Sequence, residues 1–157
     1  MKLSSKARYA LRILLQIAYE NLNGNHLASG KLIASKQEIT EPYLEQIMIY
    51  LKKGDLIETV RGCNGGYKLK KDPEHITVLE IIELFDGTLK LADCGATEKE
   101  CLKSNKCIAE KVWKELSHVL RVAAENITLD SILDDYTHNN SIVSNHKQPA
   151  YCQKHFQ

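Results

Sequence analysis

The stretch Thr40-Glu41-Pro42-Tyr43-Leu44-Glu45-Gln46-Ile47-Met48-Ile49-Tyr50-Leu51-Lys52-Lys53-Gly54, with the run from Leu56 to Lys70 that follows it, decides the fold. Thr40 is a favourable N-cap, and Pro42 falls in the first helical turn, where a missing N–H is no loss. Leu44, Ile47, Met48 and Leu51 recur at three- and four-residue spacing, which predicts an amphipathic helix closing with Gly54 as its C′ residue. The opposite face carries Tyr43, Glu45, Gln46 and Lys53. The period then changes to two: Leu56-Ile57-Glu58-Thr59-Val60-Arg61 and Tyr67-Lys68-Leu69-Lys70 alternate as two short strands joined by Gly62-Cys63-Asn64-Gly65-Gly66.

Upstream, Ala7, Ala10, Leu11, Leu14, Leu15, Ala18 and Leu22 mark a helix over 3–22 with Ser4 or Ser5 as N-cap, and a shorter helix is expected around 29–36 through Leu32 and Ile33. Downstream, Asp72-Pro73 breaks the hairpin. Thr77-Val78-Leu79-Glu80 reads as a capping box opening a helix that turns Leu79, Ile82, Leu84 and Phe85 inward and ends near Gly87. Residues 92–107 form a cysteine-bearing loop, and a long helix follows over 108–125 with Val112, Leu116, Val119, Leu120 and Ala123 on one stripe. Thr128 caps a last short helix around 129–133, and the polar composition from His138 onward predicts a disordered tail. Three helices followed by a two-stranded wing make a mainly α protein with a winged helix-turn-helix over 1–75. The connecting helix, cysteine loop and long C-terminal helix occupy 76–135, and the tail 136–157.

Composition agrees with a globular chain: 157 residues, 43% hydrophobic and 26% charged. No apolar run approaches membrane-spanning length and the start lacks a signal-peptide core, so a cytoplasmic protein without membrane contact is expected. The net charge of +1 hides an asymmetry: residues 1–75 carry 12 Lys/Arg against 8 Asp/Glu, and residues 76–157 carry 9 against 12. A basic front half suits DNA, and double-stranded DNA is the partner expected of this layout. Gln46 suits adenine and Glu45 suits cytosine; Tyr43 and Lys53 suit phosphates. Arg61, beside the tip that includes Gly65, suits a narrow minor groove. Each residue taken singly is equally at home as a solvated surface side chain. No P-loop, nucleophile elbow, zinc-protease or dinucleotide fingerprint occurs, so neither an enzyme nor a small-molecule substrate is expected.

Cys94, Cys101 and Cys107 lie within fourteen residues in the pattern C-x6-C-x5-C. Thiolates are the ligands of iron-sulfur clusters, and three on one loop can wrap a cluster edge while another residue completes the site. Zinc is a weaker fit because paired C-x2-C ligands are missing. A metal-free thiol switch is open, with Lys99, Lys103 and Lys106 nearby to favour thiolates. The surroundings are too polar for the three to be core residues. Cys63 reads as an exposed residue of the wing tip, and Trp113 as a packing anchor beside the loop.

Lys2-Leu3-Ser4-Ser5-Lys6-Ala7-Arg8-Tyr9-Ala10-Leu11, Tyr43-Leu44-Glu45-Gln46, Arg61-Gly62-Cys63-Asn64-Gly65-Gly66-Tyr67-Lys68-Leu69 and Ile127-Thr128-Leu129 together resemble the bacterial winged-helix regulators typified by the iron-sulfur cluster regulator IscR and the nitric oxide-sensitive repressor NsrR. The resemblance spans about 1–135. It implies a homodimeric regulator of partly palindromic operators, pairing through the helix at 108–125, with Glu45, Gln46 and Arg61 at base- and groove-contacting positions. The cofactor it implies is an iron-sulfur cluster, 2Fe-2S in preference to 4Fe-4S. This chain has one residue more in the first cysteine gap than cluster-binding relatives. It carries Glu110 where IscR-like members have a histidine ligand, and Arg8 where NsrR-like members have an aspartate; Glu110 is thus the expected fourth ligand. Some relatives without a cluster answer to a partner enzyme of cysteine biosynthesis, so control by thiol oxidation or by such a partner is the alternative.

Overall fold

The computed structural model describes residues 2–62, 65–92 and 107–143, with side chains through 137. The element order is α1 (Ser5–Leu22), α2 (Gly30–Gln37), α3 (Glu41–Lys53), β1 (Ile57–Val60), β2 (Gly66–Leu69), a 3-10 turn (Pro73–His75), α4 (Val78–Asp86), α5 (Ile108–Glu125) and α6 (Leu129–Val143). The wing is antiparallel, with Ile57 opposite Leu69 and Val60 opposite Gly66.

Helix α1 is the centre of the packing and touches α2, α3, α4, β2 and α6. Ser4 caps it by accepting from the Ala7 N–H, and the Ser4 N–H donates to Asp86 Oδ2 at 2.9 Å, pinning the start of α1 to the end of α4. Ala10, Ile13, Leu14 and Ile17 are wholly buried against Ile33, Leu44, Ile47, Leu51, Leu56 and Ile81. Each such branched side chain contributes about 1.5–3 kcal/mol on burial. Ile13 and Ile17 extend the predicted stripe, whereas Leu22, at its far end, is 64% exposed because α1 runs past the core there.

The N-caps of α3 and α4 are Thr40 and Thr77, as the sequence predicts: their hydroxyls accept from Tyr43 N–H and Glu80 N–H. The capping box at Thr77 is half formed, since the Glu80 carboxylate pairs with Lys71 Nζ at 2.6 Å. Gly54 differs from expectation. Its φ is −78°, and the left-handed residue is Asp55 at φ 62°. Its close neighbour is tertiary: a Cβ at residue 54 would stand 2.6 Å from Leu84 Cδ2 on α4, and that side chain would have to turn aside to admit it.

Two short pairings outside the wing hold the layers together. Ala28, wholly buried ahead of α2, exchanges both backbone hydrogen bonds with Tyr67 at 2.9 Å, so β2 is anchored to the α1–α2 connection. Val78 N–H donates to Ile127 O and Leu129 N–H to Ile76 O, fastening the start of α6 to the start of α4. The last helix runs to Val143 rather than stopping near 133, so residues 136–143 belong to α6 and not to a tail. α5 packs one side on α4 through Leu79, Ile82 and Ala124, with Arg121 ion-paired to Glu83. Ala124, not Ala123, is its buried alanine.

Candidate nucleic-acid interface and cysteine site

With Leu44, Ile47, Met48 and Leu51 buried, α3 leaves Glu45, Gln46, Ile49 and Lys53 exposed on its outer side. Successive gaps of three and four residues put Gln46, Ile49 and Lys53 in one row. Gln46 and Lys53 have no side-chain partner among the described residues. Ile49 is 65% exposed in the middle of the row, an aliphatic side chain outside both buried clusters of the described residues that periodicity alone does not single out. Its signal is an aliphatic residue at a position that the three-four pattern of core positions skips. Tyr43 is half-buried, its ring edge-on to Tyr9 at 5.6 Å between centroids, so only part of it remains at the surface.

Arg61 leaves the end of β1 exposed, ahead of Gly62 at φ 125°. The Gly65 N–H donates to Gly62 O at 3.0 Å, closing the wing turn, and a Cβ at Gly65 would stand 2.3 Å from Val60 O. Glycine at 65 is therefore required by the turn itself. The wing and α3 are tied together by a bond that local patterning gave no sign of: Tyr67 O–H donates to Glu45 Oε1 at 2.9 Å. Burial, the hydrogen bond to Glu45 and the carboxylate's negative charge, in that order, push the Tyr67 phenol up to about 12. Tyr67 thus remains a donor throughout the neutral range. At the wing's base Lys70 is held above its ordinary value by its hydrogen bond to Asp55.

Of the expected ligands, Cys107 and Glu110 lie among the described residues. Cys107 is the N-cap of α5, half-buried and a free thiol; Glu110 is one turn on, half-buried, with its carboxylate 2.7 Å from Lys114 Nζ. Cys94 and Cys101 lie outside the described residues, as does Cys63. Trp113, expected to pack beside the cysteine loop, is 42% exposed, and most of that loop lies outside the described residues; Val112, Leu116 and Val119 near it are 43–54% exposed. The α5 face away from α4 is thus an apolar surface. Asp72, Glu74 and His75 also approach one another, but all three are exposed in the 3-10 turn.

Matched against known families, residues 3–135 fit Rrf2, described as an iron-dependent transcriptional regulator. The chain belongs to the Rrf2 family. It is 35% identical to the HTH-type transcriptional regulator IscR of Cereibacter sphaeroides over 135 residues, covering 85% of this chain and 87% of that protein. It is 34% identical to IscR of Klebsiella pneumoniae, over 86% of this chain and 81% of that one. Among solved structures, T. potens IscR superposes with a TM-score of 0.69 at 29% identity, covering 95% and 94% of the two chains. CymR, the global cysteine regulator of B. subtilis, gives 0.69 at 27% identity over 84% and 95%. The oxidized form of Staphylococcus aureus CymR gives 0.63 at 32% over 82% and 93%. This Rrf2 protein is accordingly a transcriptional regulator and not an enzyme, with the winged helix that the sequence predicts. Among its described residues no helix is long and apolar enough to cross a membrane.

Proposed function

We propose that this Rrf2 protein is a homodimer that binds double-stranded operator DNA through α3 and the wing, and reads iron-sulfur or redox status through its cysteine loop. The observation that carries the DNA reading is the exposed row Gln46, Ile49 and Lys53 on α3, flanked by Glu45 and by Arg61 at the wing. A helix placed this way fits the major groove. Gln46 then faces adenine, Glu45 cytosine, and Ile49 a thymine methyl group, while Lys53 and the exposed part of Tyr43 reach phosphates. Arg61, carried out by the turn that Gly65 closes, enters the neighbouring minor groove. The apolar face of α5 supports pairing of two copies, which would set two recognition helices about one DNA turn apart.

Three thiolates from Cys94, Cys101 and Cys107 are the donor chemistry an iron-sulfur cluster takes, and when bound it supplies a centre whose loss or oxidation changes the charge and ligation of the loop. A 2Fe-2S centre is the proposed form. Glu110 sits one turn from Cys107 and is the proposed fourth ligand; to serve, it would ligate through the oxygen that does not hold Lys114 or give up that ion pair. Cys107 is the N-cap of α5, so an ordered loop pulls directly on the helix proposed to pair the protomers. DNA affinity shifts only to the extent that the two loop states differ in the dimer geometry they favour. A second reading is control by thiol oxidation or by a cysteine-biosynthesis partner protein with no cluster; the likeness to CymR, a cysteine regulator also solved in an oxidized form, gives it weaker support.

The DNA reading is tested by selecting a duplex from a random pool with the wild-type chain and titrating it by fluorescence anisotropy. Gln46→Ala and Arg61→Ala should each weaken the selected duplex by about tenfold or more. Unchanged affinity in both variants would count against α3 and the wing as the interface.

A further inference from the structure

We infer that Tyr67, on the wing strand, is a positioning residue for base recognition: its hydroxyl holds the Glu45 carboxylate of the recognition helix in one orientation, so that base preference at one operator position depends on it. The inference rests on the DNA-binding reading above and goes beyond it, because Tyr67 itself need not touch DNA.

Glu45 is exposed on α3, and a glutamate there would ordinarily sample several rotamers. Here Oε1 accepts from the Tyr67 hydroxyl at 2.9 Å, across 22 residues of sequence, and Oε2 has no partner among the described residues. One oxygen is therefore fixed by the fold and the other is left facing outward as an acceptor. An acceptor-only group suits the exocyclic amine of cytosine and repels the acceptor edges of guanine and thymine. The anchor is rigid. Tyr67 is half-buried against the main core, and its backbone is clamped to Ala28 by two hydrogen bonds of 2.9 Å. Its ring passes the start of α2, where a Cβ on Gly30 would lie 3.5 Å from Tyr67 Cε2 and 4.0 Å from Glu45 Oε1. The tyrosine ring thus bridges wing, α2 and α3. Releasing the hydroxyl leaves the fold's contacts in place and frees one side chain at the reading surface. Ordering such a side chain on binding costs about a 2- to 10-fold factor in affinity.

The test uses the full chain, purified without oxygen, and the duplex it selects from a random pool. All four base pairs are placed in turn at each selected position, and the position that Glu45→Ala flattens is identified. Tyr67→Phe should reduce the preference at that position about 2- to 10-fold. Preference elsewhere, affinity for an unselected duplex and the thermal melt should stay as in wild type, and Tyr67→Phe should add nothing in the Glu45→Ala background. Unaltered preference in Tyr67→Phe, an equal loss on every duplex, a further loss in the double variant, or no position flattened by Glu45→Ala would each overturn the inference; the last would also remove Glu45 from the base contacts, and none of them would overturn operator binding through α3 and the wing. A wild-type chain that selects no sequence would overturn both.

Discussion

Gly66→Ala isolates the contact that fastens the wing to the body. A Cβ at residue 66 would stand 2.7 Å from Ala28 O, 3.0 Å from Ala28 C and 3.3 Å from Leu27 Cβ. The first two are backbone atoms and cannot turn aside as a flexible side chain would. Ala28 is wholly buried, and its N–H and C=O both bond to Tyr67 at 2.9 Å, so moving either strand weakens two hydrogen bonds. Overpacking of this kind costs about 1–3 kcal/mol, and each strained hydrogen bond about 0.5–1.5 kcal/mol. A loss of about 2–6 kcal/mol follows, a large share of the roughly 5–15 kcal/mol by which domains are stable, and a fall of roughly 5–25 °C in Tm. Gly24→Ala is the control: its φ of 84° strains an alanine, but nothing lies within 4 Å, so it should cost only about 1 kcal/mol. Urea unfolding followed by circular dichroism gives both numbers, and hydrogen exchange should show the amides of Ala28 and Tyr67 opening first in Gly66→Ala. A Gly66→Ala protein as stable as wild type, or more stable than Gly24→Ala, would refute the reasoning.

Thr40→Ala removes the cap of α3; because the Tyr43 N–H to Oγ1 distance is 3.4 Å, the expected cost is at the lower end of the capping range, about 0.5–1 kcal/mol by denaturant titration. Leu116→Glu places a charge on the exposed apolar face of α5: the melt of a dilute sample should barely change, while sedimentation should show a dimer becoming a monomer. Tyr67 predicts an alkaline limit. Its phenol is raised to about 12 in the fold against 10.0 ordinarily, so folding stability is unaffected by this group below pH 10 and falls as pH rises toward 12, where the unfolded chain ionises first. A tyrosinate absorbance titration should show one late-titrating phenol that Tyr67→Phe removes.

The elements that read clearly in the sequence are those fixed by local chemistry. Thr40, Pro42 and the run Leu44, Ile47, Met48 and Leu51 specify α3 through capping and periodicity, and the change of period after Leu56 specifies the wing. Gly54 was legible as a helix end but not in its tertiary contact, since Leu84, thirty residues on, is the side chain that a Cβ would meet. The same limit hid the bond from Tyr67 to Glu45: each residue looks solvated until the hairpin folds back over α2. A partly buried polar chain was also invisible in sequence, running from Arg12 through Gln37 and Gln16 to Glu20 and linking α1 to α2. The length of α6 was underestimated because its polar composition past residue 133 suits loop as well as helix. On α5 the apolar period was read correctly, but periodicity does not say whether such a face meets its own chain or another. Val112, Leu116 and Val119 are 43–54% exposed and belong to neither buried cluster among the described residues.

The most direct measurement is an operator titration of the protein purified without oxygen, with its visible spectrum and its iron and sulfide content, repeated on the same sample after exposure to air. The account predicts visible absorption with matched iron and sulfide, its loss in air, and a change in operator affinity that accompanies that loss. A colourless protein, free of iron and sulfide, whose operator affinity is the same before and after air would contradict it.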